Sequence, residues 1–225
     1  MKNLAIFTLC IAFSVAAFAQ VHIGAGYVQS TATYQSKPDA DVSSTPSNGF
    51  YAGLGYEYPL MEGLSLGIGA YYEYLYSDDA STANLGTVAT GTYKTNLKEQ
   101  YVNVPVTVNF GYNLTPSLRL FAFGGPTASY GLSSVTHYDI TGGIPSLGIT
   151  ISDSGDVDNY AGTEDDPCYY GKFDVLLGAG AGAEINGKFR LTFGYDWGLM
   201  NRNTNPDDTA VRNRNQLRAG LAVLF

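Results

Sequence analysis

The 225-residue sequence contains few charged residues, and this scarcity excludes several kinds of protein. Charged side chains make up 14% of the sequence, against roughly a quarter in an ordinary soluble domain. Twelve residues are basic and 20 are acidic, so the chain lacks the basic stripe with which a protein neutralises phosphates. We therefore expect no nucleic acid among its partners. A surface that faces water on all sides is also difficult to build from this composition.

Cysteine and histidine are scarce as well, with two of each in the chain. Cys10 lies in an N-terminal apolar run, so export leaves Cys168 alone, and a single thiol cannot form an internal disulfide. His22 and His137 lack the partners of a catalytic group. Acidic residues gather in 153–166, where calcium would suit the oxygen ligands, but their order is not that of an EF-hand and a solvated loop is the simpler interpretation. We expect no enzyme activity, no metal and no cofactor.

Long hydrophobic runs are missing beyond the first 19 residues. Lys2 precedes an uncharged apolar run at 4–18, and Ala17-Phe18-Ala19 has the small-x-small form that signal peptidase requires. The run is shorter than the ~20 residues of a spanning helix, which disfavours the alternative of a retained membrane anchor. The sequence therefore predicts a signal peptide at 1–19 and a single mature domain at 20–225.

The mature chain instead alternates apolar and polar residues with a period of two, which is the pattern of β-strands. In the segment 189–200 the residues Phe189, Leu191 and Phe193 fall on one face, and Arg190 and Thr192 fall on the other. Eight segments show this alternation: 21–33, 50–59, 64–76, 101–112, 117–130, 172–185, 189–200 and 212–225.

The connections between these segments are alternately long and short. The long connections are 34–47, 77–97, 131–168 and 201–210, and the short ones are 60–63, 113–116 and 186–188. In an up-and-down barrel this order places every short turn and both mature termini at one end, and all long loops at the other. The fold class that we predict is all-β: a closed eight-stranded antiparallel up-and-down transmembrane β-barrel.

The charges decide which face meets lipid, because alternation alone also fits a soluble barrel with an apolar interior. The polar face carries six residues of each sign, a balance that suits an enclosed lumen in which ions are paired. The predicted lumen charge network comprises Glu57, Glu73, Glu99, Asp174, Glu184, Asp196, Arg119, Lys172, Arg190, Arg212, Arg214 and Arg218. Glu184 should lie opposite Arg190, and Asp196 should pair with Arg212 or Arg214. With about eight strands the lumen holds side chains and no wide channel.

Aromatic residues on the apolar face gather toward the strand ends, as they do in the two girdles of a membrane barrel. The girdle near the long loops is predicted to contain Tyr72, Tyr74, Tyr76, Tyr130, Tyr195 and Trp197. The girdle near the short turns is predicted to contain Tyr56, Tyr58, Phe110, Tyr112 and Phe225. The remaining alternative is that these rings fill the core of a soluble protein.

Several motifs carry a resemblance to a known family. They are Tyr101-Val-Asn-Val-Pro105, Gly178-x-Gly180-x-Gly182-x-Glu184, Gly194-Tyr195-Asp196-x-Gly198-Leu199 and the final Phe225. The mature chain resembles the PorT-like outer membrane β-barrel domain proteins and, more distantly, the small barrels of the OmpA and OmpX type. The resemblance implies a location in the outer membrane of a Gram-negative bacterium, with lipid as a partner. It also implies that the outer-membrane assembly machinery recognises Phe225 during insertion.

Two functional hypotheses remain open at this point. The first is a non-enzymatic barrel with a structural or surface-interaction role. Its loops at 77–97 and 131–168 are rich in Ser, Thr, Gly, Asn and Tyr, which suits recognition of a surface ligand or a protein. The alternative is a narrow, porin-like pore or an accessory component of an outer-membrane transport or secretion system. The fold does not choose between them.

Overall fold

The computed structural model describes residues 20–36, 42–85, 89–144, 148–161, 170–205 and 210–225. The predicted signal peptide, Cys168 and the acidic residues 164–166 lie outside this part of the chain. The described residues form nine strands: β1 (Gln20–Gln35), β2 (Ser43–Met61), β3 (Leu64–Leu85), β4 (Ala89–Thr115), β5 (Leu118–Ile144), β6 (Ile149–Asp158), β7 (Phe173–Ile185), β8 (Phe189–Gly198) and β9 (Val211–Leu224). Among the described residues no helix is long and apolar enough to cross a membrane.

Eight of the nine strands pair into a closed ring. The order runs β1-β2-β3-β4-β5-β7-β8-β9, and β9 pairs back onto β1. Every pair of neighbours is antiparallel. Closure satisfies the backbone N–H and C=O groups of both edges, as hydrocarbon surroundings require. The prediction of a closed eight-stranded antiparallel barrel is confirmed.

Short turns lie at one end of the barrel, which we call the turn end; the opposite end is the loop end. The turn between β7 and β8 contains Asn186 and Gly187, with φ angles of 55° and 61°. Asn and Gly are the residues that adopt positive φ most readily, which suits a tight hairpin. This turn sets a register in which Glu184 lies opposite Arg190.

At the loop end β3, β4 and β5 extend beyond the ring and form a sheet of their own together with β6. The extension of β3 at 77–85 pairs with β4, the extension of β4 pairs with β5 at 135–143, and β6 pairs with β5 alone. We call this four-stranded part the protruding sheet. The prediction that 77–97 and 131–168 are irregular loops is therefore wrong for most of their described residues. The strand β2 also begins earlier than predicted, at Ser43.

The two faces of the ring differ in exposure as alternation requires. On β8 the side chains of Leu191 and Phe193 are 46% and 58% exposed, whereas Arg190 and Asp196 are buried. Of the predicted girdle residues, Tyr56, Tyr74 and Tyr195 are half-buried. Those that face outward with larger exposure are Tyr58, Tyr72, Tyr76, Phe110, Tyr112, Tyr130, Trp197 and Phe225.

A small apolar cluster also lies inside the barrel. Val28, Tyr51, Leu75 and Tyr101 are buried and contact one another. These residues occupy inward positions of β1 to β4 near the loop end. The lumen therefore combines ion pairs with apolar packing.

Candidate functional site

The turn end of the lumen is closed by a layer of two arginines and two glutamates, the turn-end layer. Nη2 of Arg190 lies 2.5 Å from Oε1 of Glu184 and also donates to Oε2 of Glu57. Nη1 of Arg119 lies 3.0 Å from Oε2 of Glu184. Ser65 donates a further hydrogen bond to Glu57. All four charges are thus compensated, which is the condition for keeping ions in a confined space.

A second ion pair lies further along the lumen. Nε of Arg218 is 2.7 Å from Oδ2 of Asp196. We expected Asp196 to pair with Arg212 or Arg214, and that expectation is wrong. The register places Gly194 opposite Arg218 and Asp196 opposite Gln216. Arg218 is two residues along β9 from Gln216, the direct partner of Asp196, and therefore lies on the same face as Asp196. At this diagonal distance between adjacent strands a long arginine side chain reaches the carboxylate.

Toward the loop end lies a third group, the loop-end layer, built around Arg214 and Glu73. Nη1 of Arg214 is 3.5 Å from Oε1 of Glu73, and its Nε is 3.8 Å from Oδ2 of Asp174. Gln216 donates to Oε1 of Glu73 over 2.5 Å, and Asn103 donates to Oε2 over 2.9 Å. Each of these side chains is fully buried. Polar groups from four strands, β3, β4, β7 and β9, therefore meet in the cross-section at this level.

Arg202, which the sequence did not single out, closes the loop end. It follows β8 and is 1% exposed. Its Nη1 donates to Oη of Tyr101 over 3.1 Å, and its guanidinium lies 4.2 Å from the centre of the Tyr170 ring. Tyr101 in turn donates to Glu99 over 2.7 Å. Burial raises the pKa of Tyr170 to about 12, so this phenol stays neutral beside the cation.

Two residues of the predicted lumen network, Lys172 and Arg212, lie outside it. Both are exposed at the loop-end rim. The Lys172 ammonium is 5.2 Å from the Tyr160 ring, and the Arg212 guanidinium is 4.9 Å from the Tyr34 ring. By the alternation of side chains along their strands both residues should point inward. They lie at the loop-end limit of the barrel, however, where the wall no longer encloses them. The prediction that they belong to the lumen network was wrong because they lie beyond the enclosed part of the barrel. Each is stabilised instead by a cation–π contact.

The remaining candidates for chemistry are dispersed. Nε2 of His22 is 2.9 Å from Oη of Tyr71 inside the lumen. His137 lies on the protruding sheet, with Nδ1 2.7 Å from Asp156 and Nε2 3.5 Å from Asp139. Within the described ranges no group of three or more His, Cys, Asp or Glu side chains is arranged to hold a metal ion.

Comparison with protein families agrees with this architecture. A family model described as outer membrane protein beta-barrel domain matches residues 14–202. No curated protein matches the chain in sequence. Among solved structures, the chain is similar to Ail, the attachment invasion locus protein of Yersinia pestis, with 14% identity, a TM-score of 0.39 and coverage of 92% of this chain and 99% of that one.

Two further structures have comparable scores. Neisserial surface protein A shows 11% identity and a TM-score of 0.40, with coverage of 91% of this chain and 97% of that one. The outer membrane protease OmpT of Escherichia coli shows 11% identity and a TM-score of 0.37, with coverage of 92% and 96%. The family model spans most of the sequence and agrees with the closed ring and its apolar outer face. The chain belongs to the outer membrane protein β-barrel domain family, and its place is the outer membrane.

Proposed function

We propose that this protein is a non-enzymatic surface-interaction protein that is anchored by its barrel and binds a partner through the protruding sheet. The observation that carries the proposal is the free edge of β6. In the described part of the chain β6 stands last in the strand order and pairs only with β5. An unpaired strand edge offers a row of N–H and C=O groups to an extended segment of another protein.

The side chains of β6 indicate what kind of segment fits. Ile149 and Ile151 are 45% and 60% exposed, so the strand offers apolar contacts. The strand also carries Asp153, Asp156 and Asp158. Charged residues on an edge discourage self-association. The same charges favour a partner segment that alternates apolar and basic residues, because opposite charges across a strand pair are stabilising.

A charge exchange tests this interaction. Binding of a synthetic peptide of alternating Val and Lys to the purified protein in detergent is measured by fluorescence anisotropy. Asp156 lies on the face of β6 opposite to Ile149 and Ile151, where the Lys side chains of the peptide fall. The variant Asp156→Lys should bind this peptide at least fivefold more weakly and should bind the matching Val and Glu peptide more tightly. Glu62→Lys, at the turn end, is the matched control and should change neither affinity. Equal binding by the parent and Asp156→Lys contradicts the proposal.

We extend the proposal to export and assembly. Residues 1–19 are removed, so that the protein in the membrane begins at Gln20, and N-terminal sequencing of the membrane fraction checks this. Within the family the chain belongs to the PorT-like group, on the motifs named above. The outer-membrane assembly machinery recognises the last strand, which ends in apolar residues at alternate positions and Phe225.

The second candidate is a narrow pore or an accessory component of a transport or secretion system. The observation that favours it is a lumen with polar groups along its whole length. Planar-bilayer conductance separates the two candidates. The two buried layers and Arg202 predict little or no current for the interaction protein. Steady channels would favour the pore.

A further inference from the structure

The middle of the lumen differs from its two ends, because glycines and aromatic rings occupy several of the inward positions around the single ion pair of Arg218 and Asp196. Inward positions of β3 and β8 hold Gly67, Gly69 and Gly194, which leave the wall without side chains. The Phe123 ring packs onto Gly194, and the Tyr71 ring packs onto Gly69. Glycine permits this close approach because it has no Cβ. The rings, however, do not fill all of the space that the glycines open.

A cavity of about 140 Å³ remains, which we call the central chamber; its lining includes Tyr51, Tyr71, Phe121, Phe123, Thr107 and Thr127. Cavities of roughly 150 Å³ with apolar walls hold a benzene-sized molecule. The charged groups at the chamber, Arg190 with Glu57 and Arg218 with Asp196, are already paired with each other. A charged guest would find no free counter-charge and would lose its hydration. The chamber therefore suits an uncharged guest of about one ring.

The barrel wall beside the chamber contains two interruptions, and both flank the same stretch of β4. Between β3 and β4, Ile68 pairs with Val106 and Tyr71 with Asn103, but among the described residues Gly69 and Ala70 have no paired residue on β4. Between β4 and β5 the ladder likewise breaks between Pro105 and Val108. The ladders between β1 and β9 and between β7 and β8 run without such a break.

Proline explains these interruptions, because it has no N–H to donate to a neighbouring strand. Pro105 stands at the first gap and also lines the chamber. The second gap includes Gly125 and Pro126. At Gly125 the two backbones approach so closely that a Cβ would lie 2.0 Å from the carbonyl oxygen of Val106. The gap between β3 and β4 is therefore the weaker part of the wall.

We propose that the central chamber binds a small, uncharged, apolar molecule of about one ring, which enters from the bilayer between β3 and β4. The bilayer concentrates such molecules, and the lumen ends are occupied by the charged side chains of the turn-end layer and by Arg202. A membrane-facing wall with missing ladder bonds separates more readily than a fully paired one. This site is distinct from the protruding sheet and does not depend on the surface interaction.

Binding is tested on the purified protein in detergent micelles with fluorobenzene as the probe, followed by ¹⁹F NMR. We expect saturable binding above the partitioning into empty micelles, and no saturable binding of fluorobenzoate. In the parent protein the Thr107 hydroxyl lies over Gly67. Thr107→Phe replaces it with a ring that reaches into the chamber, and should weaken fluorobenzene binding at least tenfold. Absence of saturable fluorobenzene binding, or equal binding of fluorobenzoate, overturns the proposed ligand class.

A second variant keeps the proposal testable if Thr107→Phe does not fold. Phe123→Ala enlarges the chamber and should add saturable binding of fluoronaphthalene. Phe193→Ala removes the same side chain from the lipid-facing side of β8, where Phe193 is 58% exposed, and should leave both probes unaffected. If Phe123→Ala and Phe193→Ala behave alike, the chamber is not the binding site.

The route is tested with a disulfide across the gap, in a Cys168→Ser background. Ala70→Cys with Val104→Cys bridges the interrupted part of β3 and β4 on the lipid side. Tyr72→Cys with Val102→Cys bridges a pair that is intact, two residues along the same strands. The first disulfide should slow fluorobenzene exchange at least tenfold without changing affinity, and the control should not. Equal exchange with both disulfides overturns the lateral route.

Discussion

Arg190 is the residue that joins the two carboxylates of the turn-end layer. It contacts two buried carboxylates, Glu57 and Glu184, so Arg190→Ala leaves both without their shared cation. Removing one partner of a buried ion pair costs about 3 to 5 kcal/mol. We expect the free energy of unfolding to fall by an amount in this range, measured by urea titration of the protein in detergent.

The control for this prediction is another arginine of the same barrel. Arg212 is exposed and stacks on a tyrosine ring, so Arg212→Ala should change the free energy of unfolding by about 1 kcal/mol or less. An unchanged urea midpoint for Arg190→Ala would mean that the turn-end layer does not stabilise the fold.

Individual contacts were predictable from the sequence only where a short turn sets the register. Glu184 and Arg190 flank a three-residue turn, so their opposition follows from counting residues. Asp196 and its partner Arg218 are separated by a long connection, so the sequence does not decide which arginine of the next strand pairs with Asp196. Arg202 belongs to that connection and to no alternating segment. The sequence feature that best indicates its burial is the number of tyrosines near the loop end, because a buried guanidinium can stack on their rings.

At the scale of the strand, the outward face is expected to lie in hydrocarbon. Ala181 on β7 and Leu191 on β8 are both exposed and face away from the lumen. Arginine on the lipid side of a barrel costs about 2 to 4 kcal/mol near the midplane. We expect Ala181→Arg and Leu191→Arg each to lower the unfolding free energy by this amount in lipid vesicles.

A polar substitution without charge serves as the comparison. Leu191→Asn should cost less than Leu191→Arg, because the amide is less strongly hydrated than a guanidinium. Full tolerance of arginine at both positions would mean that the assignment of the two faces is reversed.

The protruding sheet should be dispensable for the barrel. The ring pairs β3 with β4 and β4 with β5 below the extension, so the ladders that close it do not involve residues 79–95 or 137–156. Replacing each of these segments with Asn-Gly should leave a compact barrel. The measurement is heat-modifiable gel mobility, in which the folded form migrates differently from the boiled form.

The sequence predicted the membrane-embedded part of each strand but not its full length. Within the membrane, apolar and polar residues must alternate along each strand because one side of the wall meets lipid and the other meets a polar lumen. Beyond the membrane both sides of the protruding sheet meet water, so stretches such as Ser77-Asp78-Asp79 read as loop. Pairing there continues from the ladder already formed in the barrel. Strand β6 lies wholly beyond the membrane and shows no regular alternation of apolar and polar residues, so the sequence did not predict it.

At the scale of the whole molecule, closure is the property that allows this chain to occupy a membrane. The last strand, β9, completes the ring by pairing with both β1 and β8. Without it, the edges of two strands would carry unpaired backbone groups in hydrocarbon, at a cost of several kcal/mol for each group. Side-chain contacts with lipid cannot replace those hydrogen bonds.

We therefore predict that deletion of 211–225 abolishes insertion, whereas the deletions in the protruding sheet do not. The shortened chain should appear in aggregates or be degraded, should lack heat-modifiable mobility, and should be extracted from membranes by urea. Because the deletion also removes Arg214 and Arg218, the double variant Arg214→Ala, Arg218→Ala is the matched control. It keeps all backbone pairs of β9 and should still insert, although with lower stability. Insertion of the chain without β9 would show that an open sheet suffices, and equal failure of the double variant would place the requirement in the lumen charges.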